Sequence, residues 1–269
     1  MSSSVNSPMA GYEKEVFTAP IESGSLVSHD VYSRGCGPVV VIIQELPGIG
    51  SETLRLADSF VDQGFSVILP HLFGPLGKTS MLGNLARVFC MRREFALFSK
   101  NRCSPVVDWL KALCRHQKDK RDVGGVGVIG MCLTGNFAIS LMADESVLAA
   151  VASQPSMPVH DQNAIHMSEE EVRQISARLE EHGPMLAYRI AGDKICRAEK
   201  FTALDGTFNK SAERMTLKTL PGKGHSVLTL DFVNEAGHPT RKALDEILEY
   251  FTQKLNSGQT RSSPEPAGV

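Results

Sequence analysis

Along the chain, short unbroken apolar runs alternate with stretches in which apolar residues recur every three or four positions. Val39 to Ile43 is a continuous β-branched run, the pattern of a strand buried on both faces. Leu54, Ala57, Phe60 and Val61 then fall at helical spacing, and Gly64 stands where a left-handed residue would end that helix. A second strand is predicted from Phe65 to Leu69, stopping at Pro70. Ser104 and Pro105 occupy the N-cap and first-turn positions of a helix whose stripe is Val106, Val107, Leu110 and Leu113.

The same rhythm continues with a strand at Val126 to Ile129, a helix from about Gly135 and an apolar run at Leu148 to Ala152. Ser168 and Glu171 form a capping box for a charged helix reaching about Glu181, which Gly183 and Pro184 end. Met185 to Ile190 and Met215 to Leu220 are two further strands, and Thr240 is expected to cap a last helix with Leu244, Ile247, Leu248 and Phe251 facing inward. Strands alternating with helices predict an α/β fold with a mostly parallel sheet covered on both faces.

No linker or internal repeat divides the chain, so the expectation is a single domain over residues 11–256. Residues 1–10 and 257–269, polar and rich in Ser, Gly or Pro, are expected to be mobile tails. The long connection 157–183 reads as a lid or as a surface insertion.

Composition narrows the class of function. Twenty-eight Lys and Arg against thirty Asp and Glu leave a net charge of -2, so there is no basic excess to hold a nucleic-acid backbone or an anionic membrane. The longest apolar runs fall far short of the ~20 residues that span a bilayer. The Ser-rich beginning lacks the basic and then apolar order of a secretory signal, so a cytoplasmic protein is expected. Six scattered cysteines without a Cys-x-x-Cys pair make no disulfide scaffold.

One of those cysteines has unusual surroundings. The strand Val126 to Ile129 runs into Gly130-Met131-Cys132-Leu133-Thr134-Gly135, with Gly130 two positions before Cys132, Gly135 three after, and a helix beyond. This is the strand, elbow and helix order of a nucleophile elbow with sulfur in place of the usual serine oxygen. The turn is too tight for flanking side chains, and the helix N-terminus would favour negative charge on sulfur and offer N–H groups to an oxyanion. A buried core cysteine in a Gly-rich turn is the plainer alternative. Gly125, Gly127 and Gly130 also spell a dinucleotide-type pattern, but they interleave with the strand and lack the acidic residue ~20 positions on.

A cysteine nucleophile needs a base and an orienting acid. Asp193 follows the strand ending at Ile190, and His225 follows the strand ending at Leu220 within Pro221-Gly222-Lys223-Gly224-His225. The order Cys132, Asp193, His225, each at a strand end after glycine, matches the chain order of an elbow hydrolase.

With these residues the chain resembles the dienelactone hydrolase family, carboxymethylenebutenolidase-like enzymes of the cysteine-nucleophile branch of the α/β-hydrolase superfamily. The resemblance runs from about Glu13 to Leu255 and includes Gln44-Glu45-Leu46-Pro47-Gly48 and Pro70-His71-Leu72-Phe73-Gly74. It implies an α/β-hydrolase fold and a carboxylic ester hydrolase acting on a small ester or enol-lactone. Cys132 would attack the carbonyl, and His225, oriented by Asp193, would serve the leaving oxygen and then water. Glu45 would keep Cys132 neutral until substrate arrives and then take its proton, with the N–H groups of Leu46 and Leu133 as oxyanion hole. No metal or organic cofactor is implied, nor a nucleic-acid or membrane partner, and the enzyme would act as a monomer or homodimer.

The chain departs from the family in its substrate contacts. Members that act on dienelactone hold its carboxylate with arginines, one of them four positions after the catalytic histidine, where this chain has Thr229. Arg92 and Arg93 are candidates for another substrate arginine, or simply an exposed basic helix turn. Two other functions stay open. A glutaminase would also use an elbow cysteine, and His238-Pro239 distantly resembles its His-Pro-Glu, but Thr240 stands where the carboxylate should be. A non-catalytic relative that binds a small ligand in the same pocket is the other.

Overall fold

All five residues of the Val39–Ile43 run are buried, and they divide by parity. Val39, Val41 and Ile43 enter one hydrophobic core while Val40 and Ile42 enter another. A run with no polar face requires this, because alternate side chains of a strand point to opposite sides of its sheet. The computed structural model describes residues 8–46, 48–74, 76–77, 104–165 and 167–259. Arg92 and Arg93 lie outside the described residues.

The elements in chain order are β1 (Glu13–Pro20), β2 (Leu26–Arg34), β3 (Val39–Ile43), α1 (Ser51–Asp62), β4 (Ser66–His71), α2 (Pro105–Lys120), β5 (Val126–Met131), α3 (Gly135–Leu141), β6 (Val147–Ser153), α4 (Glu169–His182), β7 (Met185–Ile190), α5 (Ala198–Phe208), β8 (Met215–Leu220) and α6 (Pro239–Gln259). One eight-stranded sheet holds them in the order β1-β2-β4-β3-β5-β6-β7-β8. From β4 to β8 every pairing is parallel, whereas β2 is antiparallel to both β1 and β4. The expected mostly parallel sheet is therefore observed, with an antiparallel hairpin added at one edge.

Two helices, α1 and α6, cover one face through Leu56, Phe60, Leu244, Ile247 and Phe251. The other face takes α2, α3, α4 and α5 through Trp109, Leu110, Phe137, Ile175, Leu179 and Leu204. The charged helix in the 157–183 connection is thus a layer of the fold, α4, whose Ile175 and Leu179 are buried. Its start is as read from sequence, since the Ser168 hydroxyl accepts the Glu171 N–H at 3.1 Å.

Several boundaries differ from the sequence expectation. Strand β4 continues through Pro70 to His71. Its ladder to β3 has already ended at Ile68, so the proline removes no N–H that a parallel partner needs. Thr240 does not cap the last helix, which begins at Pro239. Its hydroxyl instead accepts the Val233 N–H at 3.0 Å and pairs with His238 Nδ1 at 2.8 Å. Helix α6 also runs to Gln259, past the expected boundary at residue 256, and Met9 is buried against the core although it falls in the stretch read as a tail.

Gly127 of β5 faces Phe251 so closely that an added Cβ would lie 2.5 Å from its ring, and Phe251 also meets Phe60 edge-on at 5.8 Å. Phe251→Ala should lower the unfolding free energy by about 3–5 kcal/mol, the usual range for emptying a buried phenylalanine site. Urea denaturation would show a lower midpoint with an unchanged slope.

Candidate active site

The turn after β5 is set by one close approach. A Cβ on Gly130 would lie 2.0 Å from the Thr134 carbonyl oxygen, and one on Gly135 would lie 2.9 Å from Pro155 Cα. Only glycine permits the strand to bend this sharply into α3. Between the two glycines Cys132 sits at φ 58°, in the left-handed region that an L side chain rarely adopts. The Thr134 hydroxyl accepts the Met131 N–H at 2.9 Å and has the carbonyls of Ile43 and Gln44 within 3.2 Å. One side chain therefore ties the elbow to the end of β3.

Neighbouring loops brace the same turn. The Ser156 N–H donates to the Cys132 carbonyl at 3.1 Å, and the Asn136 side chain exchanges two hydrogen bonds with the Met157 backbone, each 3.0 Å. Gln44 is fully buried, donates to the Phe73 carbonyl at 2.7 Å and accepts the Leu72 N–H at 3.0 Å. The Gln44-Glu45 and Pro70-to-Gly74 segments, far apart in sequence, are thereby joined at neighbouring strand ends.

Asp193 and His225 meet across the ends of β7 and β8. The His225 Nδ1–H lies 2.7 Å from Asp193 Oδ2, while Asp193 Oδ1 accepts the N–H groups of Ile195 (2.8 Å) and Cys196 (3.1 Å). The carboxylate is fully committed, which fixes the plane of the ring. Asp231 then clamps the loop after β8 by accepting the N–H groups of His225 (2.7 Å) and Ser226 (2.8 Å).

Burial works against a charged imidazole, but the hydrogen bond and charge of Asp193 and the influence of Cys132 outweigh it. His225 is raised to about 10 from an ordinary 6.5, so it is protonated at neutral pH. Its Nε2 is buried, and Cys132 is the group that acts on the ring beside Asp193. A cavity of about 520 Å³ opens beside this pair, lined also by Lys194, Ile195, Lys223 and Asp231.

Glu45, 2% exposed, joins the same buried region. Its carboxylate accepts the Thr229 hydroxyl, the Ser226 hydroxyl at 3.1 Å and the Gln154 amide at 3.3 Å. Burial raises its pKa above the usual carboxylate value, and these donors together with His225 offset part of that. The structure thus sets Glu45 against the loop that carries His225, and Cys132 is not among its hydrogen-bond partners. Thr229, the position of the family's substrate arginine, is buried with its hydroxyl committed to Glu45.

Burial pushes the thiols of Cys114 and Cys196 well upward, so both favour the neutral form. Leu133 is buried and Leu46 half-buried at the two strand ends that flank the elbow. Among the described residues no cluster of His, Cys, Asp and Glu could hold a metal ion, and no helix is long and apolar enough to cross a membrane.

A comparison with known families finds that the Dienelactone hydrolase family profile matches residues 29–255. The chain belongs to the dienelactone hydrolase family. Membership places it among hydrolases of esters or lactones. Solved structures share the α/β-hydrolase fold at low identity. A candidate dienelactone hydrolase from Klebsiella pneumoniae is 16% identical with a TM-score of 0.63, covering 90% of this chain and 99% of its own. A cold-adapted esterase from an Arctic intertidal metagenomic library is 15% identical, with a TM-score of 0.60 over 91% and 95% of the two chains. A dienelactone hydrolase-like promiscuous phosphotriesterase from metagenomic libraries is 13% identical, with a TM-score of 0.63 over 90% and 98%. No curated protein matches by sequence.

The raised His225 also marks the stability of the fold. A group whose folded pKa exceeds its unfolded value stabilises fully below the unfolded value and loses that contribution as pH rises through the folded one. Unfolding free energy should therefore decline between about pH 6.5 and 10, and His225→Gln should flatten that decline. Urea titrations at a series of pH values measure both slopes.

Proposed function

We propose that this family member hydrolyses a small carboxylic ester or enol-lactone by acyl transfer to Cys132. The observation that carries the reading is the strained, positive-φ Cys132 on its elbow, acting on a half-buried His225 that Asp193 holds at 2.7 Å. Strain of this kind persists where surrounding structure over-determines it, and it is concentrated at functional sites.

Substrate enters with its carbonyl carbon against the Cys132 sulfur. Glu45, shielded from water and disposed by burial to carry a proton, accepts the thiol proton as the sulfur attacks. The N–H groups of Leu46 and Leu133 take the negative oxygen of the tetrahedral intermediate. His225 is already protonated and gives its proton to the departing oxygen, and a thioester with Cys132 remains. Neutral His225 then takes a proton from water, the hydroxide adds to the thioester carbonyl, and the acid is released as sulfur departs and takes back the proton held by Glu45, which restores the starting state. The fixed Asp193 keeps the imidazole in the one tautomer that serves both halves.

With Thr229 in place of the family's arginine, a substrate carboxylate has no cation at that position. Arg55 of α1 reaches the backbone there instead, its guanidinium donating to the carbonyls of Leu228 (3.0 Å) and Thr229 (3.1 Å). A substrate panel pairing carboxylated lactones with uncharged esters would register this difference.

Cys132→Ala and His225→Ala should each lower kcat/KM for p-nitrophenyl acetate by at least about 10³-fold, the scale for losing a nucleophile or its base. Wild-type turnover in either variant would remove the mechanism. Glu45→Gln should keep the circular-dichroism spectrum and reduce kcat by about tenfold or more. An unchanged rate across the pH range would take Glu45 out of the reaction.

A further inference from the structure

At the end of β6 the chain places a buried glutamine, Gln154, at φ 37°. Asparagine and glycine adopt that left-handed conformation with less strain, so a long side chain stands there against the backbone preference. The backbone is pinned on both sides. Its N–H donates to the Tyr188 carbonyl at 2.7 Å, and its carbonyl accepts the Ser156 hydroxyl at 2.7 Å.

The side chain spans three strand ends. Its Nε2 donates to Glu45 Oε2 at 3.3 Å, beyond β3, and its Oε1 accepts the Val227 N–H at 3.4 Å, two residues after His225 beyond β8. The Ser153 hydroxyl, in β6 itself, donates to the same Oε1. A side-chain amide donates to the carboxylate and accepts from the backbone N–H through two different atoms, far enough apart to bridge them; lysine and arginine cannot accept, and an ionised glutamate cannot donate. Asparagine would share the chemistry but is one methylene short.

We infer that Gln154 is a positioning residue of the proposed hydrolase, one that fixes the Glu45 carboxylate against the loop carrying His225 by bridging the two with its amide. The inference rests on the reading of Cys132, His225 and Glu45 given above. Gln154 touches no reacting atom, so it acts through Glu45 and the base loop. The ionisable groups around Glu45 are His225 on that loop, Cys132 on the elbow that Thr134 ties to the same strand end, and Arg55 of α1. The guanidinium of Arg55 is directed at backbone carbonyls, and the remaining donors, Thr229 and Ser226, are neutral.

Gln154→Asn tests this with a small change to the fold, because asparagine relieves the backbone while its amide falls short of Glu45. Gln154→Gly relieves the backbone equally and removes the side chain. Both should lower the melting temperature, since the Val227 N–H and the Ser153 hydroxyl lose their acceptor, while staying folded at the assay temperature and keeping KM within about twofold. Both should lose about tenfold in kcat, the scale of a misplaced reacting group. The acidic limb of the kcat profile should move to higher pH, since the carboxylate loses a donor that favours its ionised form.

A Glu45→Gln/Gln154→Asn double variant should be no slower than Glu45→Gln alone, because the two act as one unit. Wild-type kcat and an unmoved limb in both single variants would overturn the inference, as would additive losses in the double variant. Cys132→Ala, assayed in parallel, separates the two levels. If it retains turnover, the hydrolase mechanism fails; if it is inactive while both Gln154 variants match wild type, only the role of Gln154 fails.

Discussion

The close approach of Gly130 to the Thr134 carbonyl is the constraint on which the rest of the site depends. Strand β5 lies between β3 and β6 near the middle of the sheet, so the position of its turn fixes what each neighbouring strand end can present. The turn forces Cys132 into a left-handed conformation and starts α3 immediately behind it. Thr134 then fastens the turn to β3, Asn136 fastens it to the loop after β6, and the carboxyl ends of β3, β6, β7 and β8 supply Glu45, Gln154, Asp193 and His225. A larger residue at position 130 would move the sulfur and, through these ties, its neighbours.

Two buried carboxylates are stabilised in different ways. Asp193 is held by two backbone N–H groups and by the His225 ring, a set that occupies both oxygens and keeps the ring in place. Glu45 has two hydroxyls and an amide, with His225 acting at a distance, and burial prevails over them to raise its pKa. One carboxylate thus orients a ring, and the other is held by neutral donors alone. The difference comes from partners rather than depth, since both side chains are buried.

Much of the fold could be read from the sequence where one physical signal dominated. The unbroken Val39–Ile43 run and the strands Met185–Ile190 and Met215–Leu220 begin and end as their apolar patterns indicated. The β1–β2 hairpin gave no such signal, because an edge pair with half-exposed faces carries polar residues on both sides. Helix α5 was hidden for a similar reason, its apolar stripe being short and interrupted by Asp205 and Gly206. In the site, glycine spacing and strand ends pointed to Cys132, Asp193 and His225. Ser226 adjoined a marked residue, but Gln154 followed an apolar run with no motif of its own. Its significance lies in a backbone angle and in contacts across more than seventy residues, neither of which a linear pattern displays.

The donors around Glu45 carry a consequence for how the protein responds to its medium. Had a surface cation held that carboxylate, mobile ions could compete for it, since exposed charge pairs weaken over a Debye length of about 8 Å at physiological ionic strength. Hydroxyls and an amide sealed from solvent have no counterion to lose. In the His225–Asp193 pair the Asp193 side chain is fully buried and the His225 side chain is 18% exposed. Changes in salt therefore reach the surface ion pairs of α4 and α6 first and the neutral donors that hold Glu45 last, so that this carboxylate keeps its partners as the ionic strength of the medium varies.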